Sequence, residues 1–204
     1  MKWIIWPGLA AYEKALSAME QQLDLVIGNK EPDTVFLLQH KPVYTAGTSH
    51  KPSELLSLKQ FPVIYTGRGG KFTYHGPGQR VIYPIINLNN HGPKDLKLYV
   101  RTLERWIIDT LAEFKLEAFT AEDRVGIWVR NKQNMEAKIG AIGIRVKKWV
   151  TYHGIAVNIN TNLEHYKGII PCGLSHFHVT SLKDAGIKAT MEEFDAMLQK
   201  NSPW

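Results

Sequence analysis

Leu9, Tyr12, Leu16, Met19, Leu23 and Val26 recur at intervals of three and four, the period of a helix that buries one face. The pattern predicts an amphipathic helix from Gly8 to Ile27, closed by Gly28-Asn29. Such a stripe has to be laid on another element, and the rest of the chain supplies strands. Met1 to Trp6 reads as a first strand rather than a signal peptide, because Pro7 breaks the apolar run and Glu13 and Lys14 follow. Thr34 to His40, Val81 to Leu88 and Val125 to Arg130 read as further strands. Ile139 to Val150 and Thr151 to Asn160 read as a pair about Lys147-Lys148. Leu96 to Lys115 predicts a second helix with Tyr99, Leu103, Trp106, Ile107 and Phe114 toward the core, and Thr190 to Lys200 a third. Strands in groups with helices between them predict an α+β fold, a mixed or antiparallel sheet flanked by helices.

The 204 residues suffice for one sizeable domain, with hydrophobic residues at 44% and charged residues at 22%. A lone cysteine excludes an internal disulfide and points to a reducing compartment. No apolar stretch approaches the roughly 20 residues that span a bilayer, so a soluble, cytoplasmic chain with no membrane partner is expected. The net charge of +6 is modest, and the acids are interspersed with the bases. Lys94, Lys97, Arg101 and Arg105 fall at helical spacing, either as a solvated face or as a docking surface for an acidic macromolecule. No nucleic-acid motif accompanies them.

Three segments carry chemistry. In Gly168-Ile169-Ile170-Pro171-Cys172-Gly173-Leu174, an apolar run delivers the thiol to a Pro-Cys-Gly corner. Cys172 is either a nucleophile or a small core residue. Arg68 to Gln79 holds four glycines beside Arg, Lys, Thr, Tyr and His, which suits a loop that approaches a ligand closely. It lacks the Gly-Lys-Ser/Thr end of a P-loop. In Glu136 to Arg145, strand alternation puts Lys138 on the side of Ile142, Ile144 and Val146. Its ammonium then either faces an apolar interior, where it needs a partner, or lies before the strand in water. His176-Phe177-His178 has no cysteine partner and no carboxylate at ligand spacing, so no metal site is expected.

Taken together these residues resemble the lipoyl(octanoyl) transferases. Leu37 to Gly47 is similar to the family's early strand and loop, and Arg68-Gly69-Gly70 through Tyr74-His75-Gly76-Pro77-Gly78-Gln79 to its signature loop. Lys138 to Gly143 and Trp149 to Asn158 resemble its middle strands. Pro171-Cys172-Gly173 with Val179-Thr180-Ser181-Leu182 resembles its catalytic segment. Gly140 and Ile155 depart conservatively from the pattern. The resemblance implies the α+β domain of biotin and lipoate ligases over residues 1–204. It implies transfer of an octanoyl group from octanoyl-acyl carrier protein to a lysine of lipoyl domains, those of 2-oxoacid dehydrogenase E2 subunits and of the glycine cleavage H protein. Neither cofactor nor nucleic acid takes part.

By the same resemblance Cys172 carries the acyl group as a thioester. Lys138 is the acid/base and favours the thiolate: a cation about 4 Å away supplies on the order of 4 kcal/mol at an effective dielectric near 20. The backbone N–H groups around Cys172-Gly173 would hold the oxyanion. Arg68, Gly69, Gly70, Lys71, Phe72, Thr73, Tyr74 and His75 would line the acyl pocket. So would Ala141, Ile142, Gly143, Gly154, Ile155 and Ala156, with glycines leaving room for the chain. Burying about seven methylene or methyl groups contributes roughly 5 kcal/mol. His75 and His153 would lie near the cleft. Two other readings are an ATP-dependent lipoate ligase of the same fold, which would not need Cys172, and a non-catalytic basic binding module.

Overall fold

The computed structural model describes residues 1–57, 60–122, 124–131, 133–170 and 178–204. Cys172 and its Pro171-Cys172-Gly173 corner lie outside the described residues, as do His176 and Phe177 of the histidine pair. The strands are β1 (Lys2–Ala10), β2 (Thr34–His40), β3 (Val43–Ala46), β4 (Val63–Tyr65), β5 (Phe72–His75), β6 (Gln79–Ile85), β7 (Ala118–Ala121), β8 (Arg124–Arg130), β9 (Glu136–Lys147), β10 (Val150–Asn158) and β11 (His178–Val179). The helices are α1 (Tyr12–Ile27), α2 (Leu96–Ala112) and α3 (Met191–Lys200).

The main sheet runs β1-β2-β6-β10-β9-β8-β7, with β11 added beside β9, and β4-β3-β5 forms a separate small sheet. β1 pairs with β2 in parallel across the α1 crossover, whereas β2-β6-β10-β9-β8-β7 is antiparallel. The fold is therefore mixed α+β, as the element pattern predicts. Alternation divides the core cleanly. Val35, Leu37, Ile82, Ile155 and Val157 face α2 and α3, meeting Leu103, Trp106, Ile107, Phe194 and Leu198. Phe36, Leu38, Val81, Tyr83 and Tyr152 face α1, meeting Ala15, Met19, Leu23 and Val26. The small sheet packs Tyr44, Phe72 and Tyr74 into a third cluster. Among the described residues no helix is long and apolar enough to cross a membrane.

Four local differences from the sequence reading have physical causes. The first helix starts at Tyr12, not Gly8, because Leu9 and Ala10 still pair with Gln39 and His40 after an irregularity in β1. α2 starts at Leu96, capped by Asp95, whose carboxylate accepts from the Lys97 and Leu98 N–H groups. Lys94 thus precedes the helix and lies over the Trp149 ring instead of joining the stripe. The β9–β10 turn is Lys148-Trp149, not Lys147-Lys148, and both turn residues take positive φ, as a two-residue hairpin requires. The fourth difference concerns Lys138. Ile127 faces Gly140 but Trp128 faces Lys138, so Ile139 is an extra residue on β9. That bulge shifts the alternation by one. Ile139, Ile142 and Ile144 all pack toward α2 and α3, and Lys138 is turned to the opposite side with Ala141.

Candidate active site

A cleft opens where the small sheet meets the α1 face of the main sheet, enclosing about 500 Å³ of space with its mouth included. That lies within the ~300–1,000 Å³ range of small-molecule pockets. Its walls are Arg68, Gly70, Lys71, Phe72, Thr73 and His75 on one side and Ala141, Ile142, Gly143, Gly154, Ile155 and Ala156 on the other. Twelve of the fourteen predicted pocket residues thus come together from three segments distant in sequence. Gly69 and Tyr74 do not line it. The Gly69 N–H donates to the Ile144 carbonyl. Tyr74 points to the other side of β5, where its hydroxyl pairs with His165 at 2.7 Å. Tyr12, Val81, Tyr83 and His153 complete the walls. Tyr12 and Val81 fall within segments already read as a helix and a strand, but nothing local in the sequence marks them, or Tyr83, as cleft residues.

The loop is held by Arg68. Its guanidinium donates to Thr45 Oγ1, to the Thr45 carbonyl at 2.8 Å, and to the Gly69 and Lys71 carbonyls, both at 2.9 Å. Lys71 is tied to the buried Glu54 at 2.6 Å. The glycines act by close approach, and not by leaving space for a ligand as the sequence suggests. A Cβ on Gly154 would stand 2.3 Å from the Ile82 carbonyl oxygen, and one on Gly143 2.9 Å from that of Gly69. A side chain at either position would collide with neighbouring backbone rather than fill the cleft.

Three buried imidazoles gather at the cleft, His75 and His153 in its walls and His40 beside His75. Burial pushes His40 down to about 4 and, aided by Arg68 and Arg145, His153 down to about 3. Burial, then His40 and Arg68, push His75 well below its ordinary value. All three are neutral near pH 7, and His40 Nε2 and the Tyr83 hydroxyl are 2.8 Å apart.

A smaller cavity adjoins the cleft, sharing Thr73, Ala141 and Ala156 with it, and its walls include Lys138, Asn158 and Tyr166. Lys138 is 8% exposed, so it neither precedes the strand nor points into water. Its Nζ donates to the Val125 carbonyl at 2.9 Å and lies 5.3 Å from the centre of the Trp128 ring. Those contacts compensate a buried ammonium. Asn158 is locked by Gln79 at 3.0 Å and donates to the Thr180 carbonyl, while Gln79 also pairs with His75 at 2.7 Å. The Thr180 N–H in turn donates to the Lys138 carbonyl at 2.9 Å. The sheet therefore presents a buried cation beside an apolar slot. No group of three or more metal-ligating side chains occurs among the described residues.

The family model of the lipoyl protein ligase A/B catalytic domain matches residues 11–202. The chain belongs to that family. It is 53% identical over 200 residues to an octanoyltransferase of Rickettsia rickettsii (strain Sheila Smith), covering 98% of this chain and 96% of that protein. Among solved structures it resembles a bi-partite lipoate protein ligase from Thermoplasma acidophilum, with a TM-score of 0.72 at 15% identity, covering 98% of this chain and 80% of the other. The biotin protein ligase of Aquifex aeolicus gives a TM-score of 0.59 at 13% identity, over 98% and 68%. Those two likenesses concern the fold alone, and they agree with the ligase-like α+β architecture.

Proposed function

We propose that residues 1–204 form a single catalytic domain that transfers an octanoyl group from octanoyl-acyl carrier protein to the target lysine of lipoyl domains in the cytoplasm. The reading rests on one observation above all. A buried lysine stands in a cavity that adjoins an apolar cleft, in a chain half identical to an octanoyltransferase. The octanoyl chain lies in the cleft, between the Arg68–His75 segment and the segments Ala141–Gly143 and Gly154–Ala156. Seven buried methylene or methyl groups contribute roughly 5 kcal/mol there.

The Cys172 thiolate attacks the carbonyl of the octanoyl thioester, the carbon–sulfur bond to the carrier breaks, and the carrier leaves as a thiol with a proton given up by the Lys138 ammonium, which is left as the neutral amine. The amine of the acceptor lysine then attacks the enzyme thioester. An amide forms, the nitrogen gives up a proton to Lys138, and the Cys172 sulfur is released. Because Lys138 sits on a carbonyl and an aromatic face, its ammonium favours the thiolate in the first step. Each acyl group enters as a thioester and leaves as an amide, so no nucleotide is consumed.

Intact mass spectrometry after incubation with octanoyl-carrier protein and no ATP tests this. The expected result is a gain of one octanoyl group, lost with hydroxylamine and absent in Cys172→Ser. Acceptor modification that requires ATP and proceeds in Cys172→Ser would instead establish the ligase chemistry.

A further inference from the structure

Lys138 owes its position to a device that spans two strands and lies outside the residues of the cleft. Next to Ile127, which with Trp128 stands opposite the Ile139 bulge, Gly126 of β8 is buried and has φ +134, a conformation open in practice to glycine alone. A Cβ at this position would stand 2.4 Å from Lys138 Cε, 2.8 Å from Nζ and 2.9 Å from the Gly140 carbonyl oxygen. The neighbouring Val125 carbonyl is the one that receives the ammonium, at 2.9 Å. On the outer side of the sheet, Glu104 of α2 is half-buried, and its carboxylate interacts with the Gly126 backbone N–H.

We propose that Gly126 is the positioning residue for Lys138, with Glu104 as its tether. The bulge aims the lysine at the cleft, the missing side chain at 126 gives it room, and the turn of backbone at Gly126 presents the Val125 oxygen as its seat. Bulges of this kind recur beside active sites, where they re-aim a side chain. A lysine displaced by a methyl group loses both that seat and its distance to the reacting atoms. This inference rests on the role given to Lys138 under the proposed function.

The test compares Gly126→Ala, Lys138→Ala and Gly92→Ala. Gly92 has φ +102 and no atom within 4 Å of an added Cβ, so it carries the backbone strain without the contact. In Gly126→Ala, kcat for octanoyl transfer is expected to fall about a hundredfold, the scale of a 1 Å misplacement, with KM for the donor little changed. The pH at which Cys172 becomes reactive to alkylation is expected to rise as it does in Lys138→Ala, with no further rise in the double variant. Gly92→Ala is expected to behave as wild type. Should Gly126→Ala fail to fold, Glu104→Leu decides: transfer falls several-fold and Glu104→Gln, which keeps an acceptor oxygen, restores most of it. An inactive Lys138→Ala beside a folded Gly126→Ala with wild-type kcat and alkylation profile overturns the inference alone. So does a wild-type Glu104→Leu where Gly126→Ala does not fold. If Lys138→Ala itself transfers and alkylates normally, the role of the lysine falls, and the inference with it.

Discussion

The two faces of the main sheet are built from the same strands and do opposite work. Toward α2 and α3 the side chains are aliphatic and aromatic, Leu103, Ile107, Ile127 and Ile139 being fully enclosed. Toward α1 and the small sheet, the same strands enclose His40, His75, His153 and Lys138, groups that burial penalises unless hydrogen bonds or ring contacts offset the loss of water. One face accumulates stability, and the other encloses titratable groups away from water. Substitutions on the two faces should therefore be read out by different instruments.

The largest separation is expected at Lys138→Arg. Arginine keeps the charge but not the ability to lose a proton. Transfer to the acceptor lysine should drop by about a hundredfold or more, while the alkylation rate of Cys172 is partly retained. Equal loss of both would mean that the lysine only shapes the cavity. On the opposite face, Leu103→Ala should lower the unfolding free energy by about 2–5 kcal/mol and leave kcat per folded molecule unchanged, as urea titration and active-site counting would check. A loss of kcat there would dissolve the division between the faces.

The smallest effect sharpens the comparison through pH. His40 at about 4 and His153 at about 3 are depressed, and His75 lies well below its ordinary value. Between those values and about 6.5 the unfolded chain binds more protons, so stability rises with pH over that window and is lost as pH falls below about 6.5. Each imidazole contributes a slope of up to about 1.4 kcal/mol per pH unit. Asp195, which burial raises to about 6 despite its ion pair with Arg80, works in the opposite sense below pH 6, one carboxylate against three imidazoles. The urea midpoint should fall between pH 7 and 5, and His153→Gln should flatten the fall. A flat wild-type profile would mean that the histidines are hydrated.

What was legible in the sequence was periodic. β2 matches its reading from Thr34 to His40, and α3 matches its reading to within one residue, because Thr190 is the cap before Met191, its side chain accepting from the Glu193 N–H. The cleft residues were legible through the resemblance, because glycines needed for close approach mark the segments that meet. What stayed hidden depends on contacts between distant residues. No local signal marks the turn at Lys148-Trp149, where positive φ falls on neither glycine nor asparagine. Nor does any local signal show that β9 carries an extra residue opposite β8. Gly126, Val125 and Glu104 act on Lys138 only after three elements have assembled.

That extra residue makes the position of the lysine a matter of counting. Were the bulge ironed out with Ile139 kept, so that every residue of β9 took its own partner on β8, regular alternation would return Lys138 to the side of Ile142 and Ile144, beneath α2. Deleting Ile139 altogether would leave the ammonium on the side of Ala141. The direction of this lysine thus depends on one residue that is counted in the chain but not in the pairing.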